Sequence, residues 1–437
     1  MIINVDFDNI VGKIKPMNAV CEGPKTGGRY LGKDATPEFK DLSIPYVRLH
    51  DIEGAYGMNQ FVDVHCVFPN FDADVEDERN YNFKPTDDYL RAIRDSGAKV
   101  FYRLGESIDH FDYRPHCRPP KDYLKWAQIC EHIIMHYNYG WASGQYWEIE
   151  NWEIWNEPES RGMWTGTNEQ FYELYTVAAK YLKRRFPSLK IGGYSAVGFY
   201  TETRETDNPW FKTIVPIMNG FFDYIKDKDV PLDFFSWHCY SDSPEEIGRA
   251  ARFIRKYLDD KGYNNAKSYL TEFNTSYSLS ACPVNNSRYV SELAASMIVA
   301  DDSPMDMMFY YYLALRSYMN GVYWWSYRDG KIERYPAYSS MKFFGDIYKL
   351  SGKVKIEYEK DKGVYAIGAS DNQTKAVLIS VMEDVESITL KVKGGKAFAV
   401  VSVDELGNTE ESELKAVNGE CVLKTKKYSI YFMKVLG

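Results

Sequence analysis

Short apolar runs alternate with amphipathic stretches of helical period from about residue 17 to about residue 350, and this rhythm constrains the fold more than any other property of the chain. Eight runs have the length and character of buried strands: 16–19, 45–50, 98–104, 152–156, 189–193, 232–237, 268–271 and 306–312. Helical stretches fill the gaps. Segment 87–96 carries Leu90 and Ile93 on one side and ends at Gly97, a residue suited to a helix C-cap. Segments 123–137, 169–186 and 244–261 have similar spacing, and Pro187 and Gly262 stop the last two. Strand–helix repetition over such a length predicts an α/β fold, a (β/α)8 TIM barrel. A doubly wound open sheet is the alternative, but no Gly-x-Gly-x-x-Gly turn follows the first strand.

The pattern changes after Ser351-Gly352. Runs such as 388–392 and 428–432 alternate apolar and polar residues, and Lys362-Gly363, Gly394-Gly395, Gly407-Asn408 and Asn418-Gly419 read as turns between strands. The division expected is a barrel over 16–350 and a small C-terminal all-β, sandwich-like domain over 351–437. Residues 1–15 are expected to pack with that domain, Ile2–Phe7 adding a strand at its edge. A chain of 437 residues exceeds the ~250–300 at which one core stops growing, which agrees with two domains.

Composition narrows the partners. The 62 acidic residues outweigh 53 basic ones, giving a net charge of -9, and no dense Lys/Arg stripe is present to neutralise phosphates; nucleic acid is excluded. No stretch approaches the ~20 apolar residues of a membrane helix, so no membrane partner is expected. The first residues lack a basic region, an apolar run and a cleavage site, which points to a cytoplasmic protein, or to a secreted one whose leader was removed. Seven scattered cysteines with no C-x-x-C pair imply reduced thiols rather than disulfides or structural zinc. His132 and His136 are spaced as in zinc proteases but lack the adjoining Glu, and the acidic segment 72–78 lacks EF-hand spacing and reads as a solvated loop. No phosphate-cradling loop or Gly-x-Ser-x-Gly elbow occurs, so no metal and no cofactor is implied.

In a barrel the chemistry gathers at the C-terminal strand ends. Two glutamates stand there: Glu157, closing Trp152-Glu-Ile-Trp-Asn-Glu, and Glu272, closing Tyr269-Leu-Thr-Glu. Each alone is open to a blander reading, a turn before Pro158 or an ordinary strand-end carboxylate. Both lie at matching depth on widely separated strands. A carboxyl pair divided into acid and nucleophile is what glycoside hydrolysis uses.

The motifs around these glutamates point to a family. Trp155-Asn-Glu-Pro158, with Gly162-x-Trp164 and Phe171-Tyr-Glu-Leu-Tyr175, resembles the fourth-strand region of glycoside hydrolase family 39. Leu270-Thr-Glu-Phe-Asn-Thr-Ser-Tyr277 is similar to that family's seventh-strand nucleophile segment over eight consecutive residues. Weaker echoes occur at Asn18–Pro24, 46–50 and 330–338, so the resemblance touches most of 16–350. It implies a retaining glycosidase on a (β/α)8 barrel, with Glu157 as general acid/base, Glu272 as nucleophile and Asn156 on the sugar 2-hydroxyl. That geometry requires carboxyls ~5–5.5 Å apart, against ~6.5–9.5 Å for inversion.

Further residues are candidates for substrate binding. His238 and Tyr240 follow the sixth strand and can hold Glu272, although a core histidine bonded to a carbonyl is an equal reading for His238. His50 ends the second strand with Arg48, which can neutralise buried carboxylates. Tyr312 stands where the family tends to carry a sugar-stacking Trp, and one of Trp324 and Trp325 can form a subsite wall. Arg316 departs from the family's acidic pattern and suits either an anionic sugar or a neighbouring Asp. Glu106 and Asp109 have no clear counterpart and are candidate contacts of this branch. The function expected is hydrolysis of β-linked glycosides or oligosaccharides, xylosides first, with arabinosides, uronides or endo-action next; a non-catalytic carbohydrate-binding protein is the rival. A homo-oligomer is compatible with the sequence, and the 16% aromatic content exceeds what a core of this size needs.

Overall fold

The computed structural model describes residues 1–25, 34–50, 61–108, 114–275, 288–311, 325–328 (backbone only), 331–360, 362–371 and 373–436. After β1 (Ile2–Lys13), eight parallel strands close a barrel in sequential order: β2 (Ala19–Cys21), β3 (Tyr46–Arg48), β4 (Lys99–Leu104), β5 (Asn151–Ile154), β6 (Lys190–Ala196), β7 (Phe234–Tyr240), β8 (Lys267–Asn274) and β9 (Met307–Tyr310). The first of these starts at Ala19 rather than at Pro16. β7 runs on through His238 and Tyr240, which therefore lie within the strand and not after it.

Both faces of the barrel strands are covered, which is why they read as nearly unbroken apolar runs. Inside, Phe101 of β4 meets Phe234 of β7, Tyr269 of β8 and Phe309 of β9 at centroid distances of 5.5, 5.8 and 5.0 Å, contacts that cross the barrel and fill its floor. Gly192 on β6 makes room for this filling: a Cβ there would lie 2.3 Å from the Phe234 carbonyl oxygen and 2.7 Å from its ring.

Outside run α1 (Thr36–Leu42), α2 (Val64–Val67), α3 (Lys84–Asp95), α4 (Tyr123–Tyr139), α5 (Asn168–Arg185), α6 (Tyr200–Thr203), α7 (Phe211–Asp227), α8 (Pro244–Asp260), α9 (Tyr289–Asp302) and α10 (Ala337–Leu350). Their ends are locally encoded. Asp122 caps α4 by accepting from the Lys125 amide, and Thr167 and Gln170 form a capping box on α5. α7 has Pro216 inside it, which masks its helical signal in the sequence. No described helix is long and apolar enough to cross a membrane.

A hairpin of β10 (Trp325–Arg328) and β11 (Lys331–Arg334) precedes α10. The rest is all-β: β12 (Gly352–Tyr358), β13 (Val364–Ser370), β14 (Lys375–Val381), β15 (Ser387–Lys393), β16 (Ala397–Val403), β17 (Thr409–Lys415), β18 (Glu420–Lys424) and β19 (Ser429–Val435). With β1 they form one nine-stranded sheet, ordered β17-β16-β19-β14-β13-β12-β1-β15-β18. Strands near both ends of that order, such as β16 (Phe398, Val400) and β18 (Leu423), share one buried cluster, so the sheet curls over its own core. β1 is not the edge strand the sequence suggests. It lies inside the sheet, antiparallel to β12 and parallel to β15, with Ile3, Val5 and Phe7 buried.

The other face of the sheet packs on the barrel. α9 is buried almost all round because it lies against α8, α10 and strands β13, β14 and β19 at once. Ser380 donates to the Ser291 carbonyl at 2.8 Å, Phe343 stacks on Phe432, and Lys353 pairs with Asp301 and Asp302. The six cysteines among the described residues are free and buried.

Candidate active site

The turn after β5 presents the first glutamate. Trp155 and Glu157 both have positive φ, 71° and 42°, a conformation that non-glycine residues hold only when their surroundings fix it. Here the Trp155 amide donates to the Leu104 carbonyl at 2.7 Å, its indole donates to the Met163 carbonyl at 2.9 Å, and the Glu157 amide donates to the Ser195 carbonyl at 3.0 Å. Gly105 permits the close approach, since a Cβ there would sit 3.1 Å from the Trp155 Cα.

Glu272 projects from β8 into a ring of donors. Arg48 Nη1 donates to its Oε1 at 2.9 Å, the Tyr240 hydroxyl donates to its Oε2 at 2.7 Å, and His50 Nε2 lies 3.7 Å from Oε1. Arg48 also donates from Nε to Glu153 at 2.7 Å and from Nη2 to Asn156 Oδ1 at 2.6 Å and Ser195 Oγ at 2.9 Å. A fully buried guanidinium is tolerable only with this degree of pairing. His238 stands between the two glutamates: its Nδ1 is 2.7 Å from Glu157 Oε1 and 3.5 Å from Glu272 Oε2, and its Nε2 is 2.6 Å from Ser195 Oγ. One oxygen each of Glu157 and Glu272 and a ring nitrogen of His238 all lie within 4.8 Å of one another.

The two carboxyls are not equivalent. The Glu157 side chain is 23% exposed and that of Glu272 only 5%. Burial holds Glu272 above the usual carboxyl range and Glu157 adds to the shift, while His238, Arg48 and the Tyr240 hydroxyl pull the other way. Burial also draws His238 down to about 4, assisted by Arg48 and opposed by Glu272, so its imidazole is neutral at ordinary pH. His50 is likewise driven down, by burial and then by Arg103, Arg48 and His238.

The structure thus brings Glu157, Glu272, Asn156, His50, His238 and Tyr240 together. Tyr240 bonds Glu272 directly, whereas the nearer partner of His238 is Glu157. Glu106, at the end of β4, is close-paired with His65 Nδ1, and Glu106 and burial exert opposite pulls on that imidazole, which ends at about 11. The His65 ring stacks on His116 at 3.5 Å. Tyr312, Arg316, Trp324 and Asp109 lie outside the described residues, as does the side chain of Trp325.

Residues that sequence reasoning passed over are Ser195, Thr271 and Glu153, all fully buried among the charged groups. Their one signal is position near the C-terminal end of a strand. Glu159 was also missed; it is buried two residues beyond Glu157, and burial pushes it up to about 8.

The model of the Glycosyl hydrolases family 39 matches residues 1–322. A β-xylosidase of Geobacillus stearothermophilus is 26% identical over 308 residues, covering 62% of this chain and 55% of that one. One from Caldicellulosiruptor saccharolyticus is 26% identical over 305 residues, covering 63% and 56%. The chain therefore matches about half the length of these curated relatives. Among solved structures, a glucosidase from Croceicoccus marinus shares the fold with a TM-score of 0.80 at 20% identity, over 100% of this chain and 98% of that one. A family 39 β-xylosidase from Caulobacter crescentus gives 0.71 at 17% identity over 100% of both.

Proposed function

The chain belongs to glycosyl hydrolase family 39, and on that premise we propose that it is a retaining β-glycosidase in which Glu272 is the nucleophile and Glu157 the general acid/base. The observation that carries this reading is the approach of the two carboxyls, one oxygen of each within 4.8 Å of the other. Inverting enzymes hold the carboxyl groups themselves ~6.5–9.5 Å apart, with room for a water between acid and base, and an approach of single oxygens this close favours the retaining arrangement.

The surroundings divide the roles. Arg48 and Tyr240 favour an ionised Glu272 and aim its oxygens, as a nucleophile requires. Glu157 is the more exposed and sits beside a neutral imidazole, which suits a group that must gain and lose a proton. In the first step a Glu272 oxygen attacks the anomeric carbon while Glu157 protonates the glycosidic oxygen; the carbon–oxygen bond breaks and the leaving group departs as an alcohol. The ester that forms removes the charge of Glu272 and so favours ionised Glu157. In the second step Glu157 takes a proton from water, the water oxygen attacks the anomeric carbon, and Glu272 is released as carboxylate. Asn156 accepts from Arg48 through Oδ1, which fixes its oxygen and leaves the amide nitrogen as the donor for the sugar 2-hydroxyl.

β-Xylosides lead as substrates because the matched curated relatives are β-xylosidases. Arabinosides, uronides or endo-action would use the same mechanism. A screen of aryl pentosides, hexosides and uronides, with NMR of the first-formed anomer, tests both levels. Retained product from a β-xyloside is expected. An inverted anomer would overturn the roles, and cleavage of another glycoside alone would change only the specificity.

A further inference from the structure

His238 touches Glu157 through one ring nitrogen and Ser195 through the other, and the protons around Ser195 bear on which nitrogen carries the N–H. Arg48 Nη2 can only donate, so at 2.9 Å it occupies one lone pair of Ser195 Oγ. The hydroxyl then has one proton for two neighbours, His238 Nε2 at 2.6 Å and Thr271 Oγ1 at 3.1 Å.

The far side of the imidazole decides between them. Nδ1 faces two carboxyl oxygens, at 2.7 Å on Glu157 and 3.5 Å on Glu272. A lone pair there would face the Glu272 carboxylate and be satisfied only by taking the acid proton of Glu157 on Oε1, away from the leaving group, whereas an N–H is attracted to both oxygens. The other titratable groups around the ring pull both ways. Arg48 of β3 and His50, two residues beyond that strand, disfavour a second proton, while Glu153 of β5 and Glu272 of β8 favour it; burial overrides the latter and keeps the ring neutral. A neutral imidazole has one N–H, so with the proton on Nδ1 its Nε2 is an acceptor. The donor in reach is the Ser195 hydroxyl, and Thr271 then donates to the remaining lone pair of Ser195.

We propose that Ser195 is a positioning residue for acid/base catalysis: by donating to Nε2 it fixes His238 as the Nδ1–H tautomer, which donates to Glu157 Oε1 and leaves the transferable proton of Glu157 on Oε2. This rests on the acid/base role proposed for Glu157. Ser195 is itself held, its amide donating to Ser236 Oγ at 2.9 Å and its φ being 62°. Its carbonyl accepts from the Glu157 amide. One residue thus sets the backbone of Glu157 directly and the carboxyl of Glu157 through His238.

The tautomer can be read without any turnover, by NMR of the full chain labelled with 15N-histidine. The seven histidines are few enough for His238 to be assigned as the signal lost in His238→Asn, or located in a neutron structure of the wild type if that variant does not fold. The Nδ1–H tautomer is expected from pH 5 to 8. An Nε2–H tautomer, or an imidazolium in that range, would overturn the proposal while leaving the glycosidase reading intact. Ser195→Ala should mix the tautomers and lower kcat/KM by about 10²-fold for alkyl glycosides, whose leaving groups need the proton. Activated aryl glycosides should lose no more than about threefold, by the same dependence on acid assistance. Equal losses on both substrates would reduce Ser195 to a structural role. Thr271→Val should keep the Nδ1–H tautomer, because Ser195 retains its donor. If no glycoside is cleaved the proposed function falls, and the tautomer measurement still decides on Ser195.

Discussion

The floor and the mouth of the barrel share strands β7 and β8, on which their residues stand two to four positions apart, yet they follow opposite rules. Below, Phe101, Phe234, Tyr269 and Phe309 fill the interior with rings. Above, Arg48, Glu153, Ser195, His238, Thr271 and Glu272 fill it with charges and hydroxyls that partner one another. The floor tolerates any well-fitting apolar group, whereas each member of the upper layer constrains its neighbours. The dry floor also raises the stakes above it, because screening by water is lost on that side.

The comparison can be broken most severely at Glu272. Glu272→Ala should lower kcat by at least about 10⁴-fold on any glycoside cleaved, with little change of fold; unchanged hydrolysis in a steady-state assay would remove the enzyme reading. Next come paired variants that separate the layers. Arg48→Met and Phe101→Ala should each cost about 3–5 kcal/mol in urea unfolding, the first by leaving buried carboxylates unpaired and the second by opening a cavity. Only Arg48→Met should move the pH profile, shifting the acid limb of kcat/KM upward as Glu272 loses its cation. In the wild type that limb should already lie above the ~4.3 of a free Glu, because Glu272 is held up by burial. A shift in Phe101→Ala would dissolve the distinction.

Glu159 offers a buried carboxyl outside both layers. Its folded pKa, about 8, lies above the unfolded value, so the folded state binds more protons and stability should fall as pH rises from about 5 to 8. Glu159→Gln should flatten that slope in urea titrations across the same window. The smallest effect is expected of Tyr240→Phe, which removes one hydrogen bond to Glu272: about a tenfold loss of kcat/KM with the acid limb moved slightly up.

The sequence made the barrel legible because parallel strands covered on both faces leave long apolar runs between helices. It marked Glu157 and Glu272 because a carboxylate ending such a run stands out. Ser195 and Thr271 carried no such mark; an inward hydroxyl becomes meaningful only once closure brings β3, β6, β7 and β8 around it. Strand order offers His238 either Glu272 or a core carbonyl as its partner, and the turn after β5 brings Glu157 nearer than Glu272. Much of the aromatic excess goes into the core: among the described residues many rings are buried in the floor and between helices, with Tyr194 in contact with Phe171, Phe221 and Phe235. The parallel pairing of β1 with β15 joins segments nearly 390 residues apart, which no local pattern records.

That pairing has a consequence for the order in which the protein is made. β1 leaves the ribosome before its partners β12 and β15, with the whole barrel synthesised between them. It must therefore wait for those partners while the barrel is made, and the curled sheet is completed only once β19 has followed them. Removing residues 1–13 would cut the sheet into six strands and two, separating β12 from β15, rather than shaving off a margin.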